Sequence, residues 1–199
     1  MRVLVFISLS VLIAFYSCSK CKDLDFCPLP ETAEEYFSVY KSGAYWIYYN
    51  DDSTLYDSVF VSNYNQRKDK EDGNDCIEWT DATFLLHSEY LSRDTIEGFY
   101  GNNGRCDNSN LTLDLESGPL SIYSDVGRDT LYTNTPSTKH KTLTQLTLNN
   151  LTYQKVYFQA LLTPLFDDNV DIWLAPDIGI VKYTSYNLDT FYLSKYYIP

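Results

Sequence analysis

From Ala44 to its end the chain runs as a succession of short segments in which apolar and polar residues alternate, and no stretch of helical period separates them. LYDSVFVSNY (55–64) shows the pattern plainly. A period of two puts every second side chain on one face of a strand, so that one face is buried while the other meets water. Similar segments follow at TFLLHSEYL (83–91), DTIEGFYG (94–101), LTLDLES (111–117), PLSIYSD (119–125), TLTQLTL (142–148), YQKVYFQALL (153–162), VDIWLA (170–175), GIVKYTSYN (179–187) and TFYLSKYYI (190–198). Nineteen tyrosines suit half-buried pleated surfaces of this kind. The connections are short: Asn149-Asn150 fits a two-residue hairpin turn with positive φ angles, and Pro176-Asp177 followed by Gly179 fits a tight turn.

Short links join antiparallel neighbours. The expected fold is therefore all-β, an antiparallel meander forming a curved sheet or a lipocalin-like barrel, with at most one short N-terminal helix. Thr32-Ala33-Glu34-Glu35 has the spacing of a capping box, and Gly43 would terminate a helix begun there. EYFSVYKSG (35–43) also alternates and could be extended, with the helix preferred. A domain of this size buries close to 70% of its unfolded surface in one core, so residues 32–199 are expected to form a single β domain.

Ahead of the domain stand Arg2, an apolar run from Val3 to Tyr16 broken only by Ser8 and Ser10, and then Ser17-Cys18. A basic start, a short apolar centre and a small residue at the exit make a secretory signal. A helix over the run reaches about 21 Å, short of the ~30 Å hydrocarbon core of a bilayer. The segment resembles the signal of bacterial lipoproteins, which is cut just before a cysteine that then carries diacylglycerol. On that resemblance residues 1–17 are the signal peptide, Cys18 is the lipidated residue, and the polar stretch 18–31 is a tether. Cys21, Cys27, Cys76 and Cys106 remain, an even number in a compartment where disulfides persist. Four cysteines allow three pairings; Cys76 with Cys106 and Cys21 with Cys27 are favoured. Their spacings are not those of a zinc knuckle and the chain has only two histidines, His87 and His140, so no metal or other cofactor is expected.

Removing residues 1–17 takes away only Arg2 from the charged side chains, leaving 14 basic against 27 acidic and a net charge of −13. Such a surface repels nucleic acid and anionic headgroups. The densest acidic cluster, DKEDGND (69–75), puts Lys68 and Lys70 where an EF-hand loop aligned on Gly73 needs ligands, and reads as a solvated turn.

YKSGAYWIYYNDDSTLYDSVFVSNY (40–64), LTLNNLTYQKVYF (146–158), IWLAPDIGIVKY (172–183) and TFYLSKYYI (190–198) together resemble recurring blocks of small lipoproteins of Bacteroidetes whose function is not known. The resemblance covers most of residues 36–198 and rests on packing motifs, so Trp46, Tyr48, Trp173, Gly179 and Val181 read as core and turn residues. It implies an envelope protein of a Gram-negative bacterium, held in the outer membrane by its acylated N terminus, and it supplies no catalytic residue. Asp57-Ser58-Val59, Asp94-Thr95-Ile96 and Asp129-Thr130-Leu131 resemble the acceptor for O-glycosylation of exported proteins of that group, which makes Ser58, Thr95 and Thr130 candidate sites. The same pattern suits a turn leading into a strand. Asn110-Leu111-Thr112 and Asn150-Leu151-Thr152 match the N-linked acceptor, which means little in a bacterium.

No nucleophile elbow or phosphate-cradling loop occurs. Asp167, Asp168 and Asp171 stand close together, the one composition-level opening for a glycosidase pair. The expected function is a non-enzymatic binding or scaffold module of the cell envelope, for a neutral glycan or a protein partner and not for nucleic acid; the alternative is a carboxylate-dependent hydrolase.

Overall fold

The computed structural model describes residues 25–71, 77–92, 95–102, 106–115, 118–134, 138–161, 170–185 and 187–199. Among the described residues twelve strands form one sheet: β1 (Asp25–Cys27), β2 (Tyr45–Asn50), β3 (Tyr56–Glu71), β4 (Ile77–His87), β5 (Ile96–Gly101), β6 (Asn108–Leu115), β7 (Gly118–Asp125), β8 (Thr138–Leu148), β9 (Leu151–Leu161), β10 (Val170–Ala175), β11 (Gly179–Thr184) and β12 (Thr190–Tyr197). The spatial order is β7-β6-β5-β4-β3-β2-β12-β11-β10-β9-β8. Two meanders, β2 to β7 and β8 to β12, thus meet where β12 pairs antiparallel with β2. The all-β meander is as expected. Its edges are β7 and β8, so it is an open sheet and not a closed barrel.

The sheet bends sharply. Tyr183 on β11 donates to the Asp57 carboxylate on β3 over 2.5 Å although β12 and β2 lie between them. In a flat sheet those strands would be about 14 Å apart. The concave side holds the core, including Trp46, Tyr48, Phe84, Leu86, Ile96, Leu111 and Ile122. Opposite Phe84 in the register stands Gly98, where a Cβ would come within 2.3 Å of two carbons of the Phe84 ring. Trp46 donates to the Ile178 carbonyl at 2.5 Å and Tyr48 to the Ile180 carbonyl at 2.8 Å, which fixes the β10–β11 turn against β2.

Among the described residues there is a single helix, α1 (Glu31–Phe37), which lies against the concave face with Ala33, Tyr36 and Phe37 buried. Thr32 donates to the Arg128 carbonyl at 2.7 Å, on the side of β7. On the other side the Asp177 amide donates to the Glu35 carbonyl at 2.7 Å, and Tyr36 donates to the carbonyl of Lys155 on β9. The helix therefore ties the two meanders together.

Several local expectations change. The capping box does not form: Pro30 is the N-cap, no side chain caps it, and the Thr32 hydroxyl is used instead on Arg128. A proline suits this position because the first helical amides need no intrahelical partner. The extended reading of 35–43 fails at its start, since Glu35 to Phe37 are helical, and Gly43 (φ +85°) serves the turn into β2 and does not cap the helix. The expected tether is structured from Asp25 on, because β1 pairs in parallel with β4 from Asp25↔Ile77 to Cys27↔Trp79. Residues 69–71 of the acidic cluster belong to β3, paired with Trp79, Glu78 and Ile77, where a turn was expected.

The favoured disulfides are also corrected. Cys27 is bonded to Cys106 with Cα atoms 4.9 Å apart, which rules out both Cys76–Cys106 and Cys21–Cys27. The cause is the placement of β1: Asn102, following β5, donates to the Cys27 carbonyl at 2.9 Å and to that of Pro28 at 3.0 Å, bringing Cys27 beside the β5–β6 connection. Cys18, Cys21 and Cys76 lie outside the described residues. The two hairpin turns are as expected, with φ of 47° and 66° at Asn149 and Asn150, and 58° and 88° at Asp177 and Gly179.

Candidate functional site

Strand alternation fixes what the convex face carries. In β10 Val170, Ile172 and Leu174 are buried, so Asp171 and Trp173 point the other way and remain partly exposed. In β2 Trp46 and Tyr48 are buried, while Tyr45, Ile47 and Tyr49 face out. In β3 Asp57, Val59 and Val61 are buried, while Tyr56, Ser58 and Phe60 face out. Directly paired residues of neighbouring strands share a face.

Following the register along the convex face gives one uninterrupted row across seven strands. Lys141 of β8 pairs with Phe158 of β9, Phe158 with Trp173 of β10, and Trp173 with Lys182 of β11. Lys182 pairs with Tyr192 of β12, Tyr192 with Tyr49 of β2, and Tyr49 with Tyr56 of β3. The members touch. The Lys141 ammonium is 5.5 Å from the centroid of Phe158, whose ring is 4.7 Å from that of Trp173. The Lys182 ammonium lies 4.3 Å from the Trp173 centroid and 5.2 Å from that of Tyr192. Tyr49 and Tyr56 are 6.4 Å apart, and Tyr56 is 64% exposed. Six strand spacings make the row about 29 Å long.

Charge is concentrated at its middle. Burial pushes the Lys182 ammonium below the usual lysine range, and Asp51 and Asp171 oppose that shift. Burial raises the Asp171 carboxyl and Lys182 draws it back. Tyr192 is held protonated by burial and by Asp51, to which it donates. Tyr49, Asp51, Tyr192, Leu193, Asn149 and Leu151 line a pocket of about 330 Å³ between the ends of β2 and β12 and the tip of the β8–β9 hairpin. Lys182 covers one face of Trp173 and one of Tyr192, and Tyr49 and Tyr56 are the most exposed rings of the row.

A second, shorter row runs parallel to the first. Tyr197 of β12, Tyr45 of β2, Phe60 of β3 and His87 of β4 are successive partners. Tyr45 and Tyr197 stack at 5.8 Å, Phe60 and His87 at 4.6 Å. The His87 Nε2 atom is 2.6 Å from the Ser62 hydroxyl.

Beneath the rows sits the Asp57 node. The carboxylate is 2% exposed and accepts from Tyr183 and Ser88 at 2.5 Å each and from the Glu89 amide at 3.0 Å. Burial, and then Asp57 itself, push the Tyr183 phenol far above its ordinary value, so it stays a donor. The node sets the bend on whose convex side the rows lie.

The expected site residues are dispersed. Ser58 is exposed on β3 between Tyr56 and Phe60, while its motif partner Asp57 is sealed in the node. Thr95 and Thr130 are exposed and lie outside the strands. Trp46, Tyr48 and Val181 are core as expected and Gly179, with φ +88°, follows the turn as the first residue of β11, whereas Trp173 is half-buried in the convex row. His140 is exposed on the edge strand β8, far in register from His87. Asp167 and Asp168 fall outside the described residues, and Asp171 stands beside Lys182. Among the described residues no group of three His, Cys, Asp or Glu is placed to hold a metal ion, and no helix is long and apolar enough to cross a membrane. Comparison with known proteins finds no match to a family model, a curated protein or a solved structure.

Proposed function

We propose that this chain is a non-enzymatic binding module of the cell envelope, anchored by an acylated Cys18, whose ligand is a neutral glycan held on the convex aromatic row. The observation that carries this reading is the row itself: five aromatic rings and two lysines in continuous register from β8 to β3, partly exposed where a sheet of ordinary design would be polar. A sugar ring lays its C–H face on an aromatic ring and turns its hydroxyls to the polar flanks. The net charge of −12 for the whole chain opposes polyanions and nucleic acid.

Anchor and row are well separated. Six residues lie between Cys18 and Asp25, so β1 stays within about 25 Å of the lipid attachment point. Phe26 pairs with Glu78, which pairs with Lys70, fourteen residues along β3 from Tyr56. At about 3.3 Å per residue the row is at most about 46 Å from that end. This supports a ligand that approaches from the aqueous side, with the outer membrane as the anchoring surface, in line with the resemblance to Bacteroidetes lipoproteins. O-glycosylation at Thr95 and Thr130 would leave the row free, whereas a glycan on Ser58 would stand between the two aromatic rows.

Binding of the chain to immobilised neutral and acidic polysaccharides at low salt tests the reading. Retention on a neutral glycan, lost in Trp173→Ala and Tyr49→Ala, is the expected result; salt-sensitive retention on acidic polysaccharides alone contradicts it. Cys18→Ala should abolish fatty-acid labelling, and unchanged labelling would remove the anchor from the account.

A further inference from the structure

The two edges of the sheet are not alike. Along β7 the backbone of Tyr132 bonds both ways with that of Tyr123, at 2.8 and 3.0 Å, and Pro119 has no amide to offer. β8 has β9 on one side and, among the described residues, no strand on the other over its 11 residues. Every second residue of such a strand turns its N–H and C=O outward. Natural edges are shortened, bulged, or interrupted by proline or charge. Here one register with β9 holds from Thr138↔Leu161 to Leu148↔Leu151, and Thr142 to Leu148 contains no charge, proline or glycine.

This edge also differs in charge from the rest of the chain. No Asp or Glu occurs from Thr130 to Phe166, in a chain that holds 27 of them. The β8–β9 hairpin carries Lys139, Lys141 and Lys155. Lys155 is paired with Glu35 at 3.7 Å, whereas among the described residues Lys139 and Lys141 have no ion pair. Two residues apart on one strand, they share a face, and both are exposed.

We propose that β8 docks an extended acidic segment of a partner protein, which adds to the sheet as a further strand and sets two carboxylates against Lys139 and Lys141. Unmade backbone bonds along a strand are met by another strand, with affinity from the main chain and selection from the side chains. Directly opposed residues share a face, so the two acids stand at alternate positions, and the uncharged remainder of the segment runs along Thr142 to Leu148. A second copy of this chain fits neither edge. β8 against β8 brings together two cationic hairpins without a carboxylate, and the β7 edge is closed at Tyr123 and has no acid from Gly118 to Ser124. Only Lys141 belongs also to the convex row, so peptide docking and glycan binding are separate properties of the molecule.

The probes are ten-residue peptides of alternating threonine and valine. Glutamate replaces the eighth and tenth residues for an antiparallel strand, or the first and third for a parallel one. Counterparts carry lysine in place of glutamate, or N-methyl groups on every second amide in either phase. Binding to the full chain in mild detergent is followed by fluorescence anisotropy, and its place by amide hydrogen exchange. One acidic peptide should bind at least about tenfold more tightly than its lysine counterpart, with slowed exchange at the β8 amides. Lys139→Glu combined with Lys141→Glu should reverse that preference, with unliganded exchange in β9 unchanged as the check of folding, and one phase of N-methylation should abolish binding. Equal binding of acidic and basic peptides, a preference unaltered by the charge reversal, binding that survives both phases of methylation, slowed exchange away from β8, or no binding at all would overturn the inference. Protection of β8 that grows with protein concentration in the absence of peptide would overturn it in favour of a second copy.

Discussion

Replacing Asp57 by alanine tests the physical basis of the bend in the sheet. Three donors converge on this one buried carboxylate, from Tyr183, Ser88 and Glu89, and they come from β11 and from the segment that follows β4. A hydrogen bond to a charged group contributes about 1.5–3 kcal/mol, and a buried donor left alone costs about 1–3 kcal/mol. The three share one acceptor group, so their losses overlap and do not add. Asp57→Ala should lower stability by about 4 kcal/mol. Tyr183→Phe, which removes one donor and leaves no orphan of its own, should cost about 2 kcal/mol. Urea unfolding of both variants and of the double variant gives the coupling, expected at about 1–2 kcal/mol. A loss under about 1 kcal/mol for Asp57→Ala, or additivity of the two within ~0.5 kcal/mol, would refute the node as the clamp between the meanders.

Peptide mapping without reductant should link Cys27 to Cys106, and thiol counting should find Cys21 and Cys76, the one remaining pairing, closed as well. Reducing a bridge that spans 79 residues should cost about 4.5 kcal/mol in the chain-entropy model; an unchanged midpoint in reductant would contradict it. Gly179→Ala should destabilise by about 2 kcal/mol, because φ is +88° and the new Cβ lies 3.1 Å from Val39, and a change below ~0.5 kcal/mol would show that the turn yields. Burial raises the phenol pKa of Tyr40, Tyr48 and Tyr183. These groups stay protonated in the fold after they ionise in the unfolded chain, so the stability they confer is complete below about pH 10 and is lost as pH rises from there toward the folded values. The three together give a slope of about 4 kcal/mol per pH unit, and a melting temperature flat from pH 10 to 11 would contradict it.

The strands were legible because their signal is local. VDIWLA and TFYLSKYYI carry their alternation within six to nine residues, and Asn149-Asn150 names its own turn. What the chain conceals is who neighbours whom. Tyr49 and Tyr192 are partners only because β12 returns to β2, a choice settled by the closing of the core and not by either segment. Without that register the row is seven unrelated residues. A local clue existed for Trp173 alone, since in VDIWLA it shares its phase with Asp171 and opposes Val, Ile and Leu. The same limit explains the cysteines: β1 is three residues long, and its parallel pairing to β4, which brings Cys27 to Cys106, has no pattern in sequence. Asp57 read as a turn residue in a three-residue motif because the donors that bury it come from 31 to 126 positions away.

The claim on which the account turns is that the convex row is the ligand surface, and side-chain-resolved NMR tests it most directly. Aromatic carbon and lysine Nζ resonances of the labelled protein would be followed while the neutral oligosaccharide that binds is added. Progressive shifts at Phe158, Trp173, Lys182, Tyr192 and Tyr49, with the concave-face rings of Tyr48, Phe84 and Tyr157 unmoved, are the predicted result. Shifts confined to the concave face or to the edge strand β8, with the row silent, would contradict it.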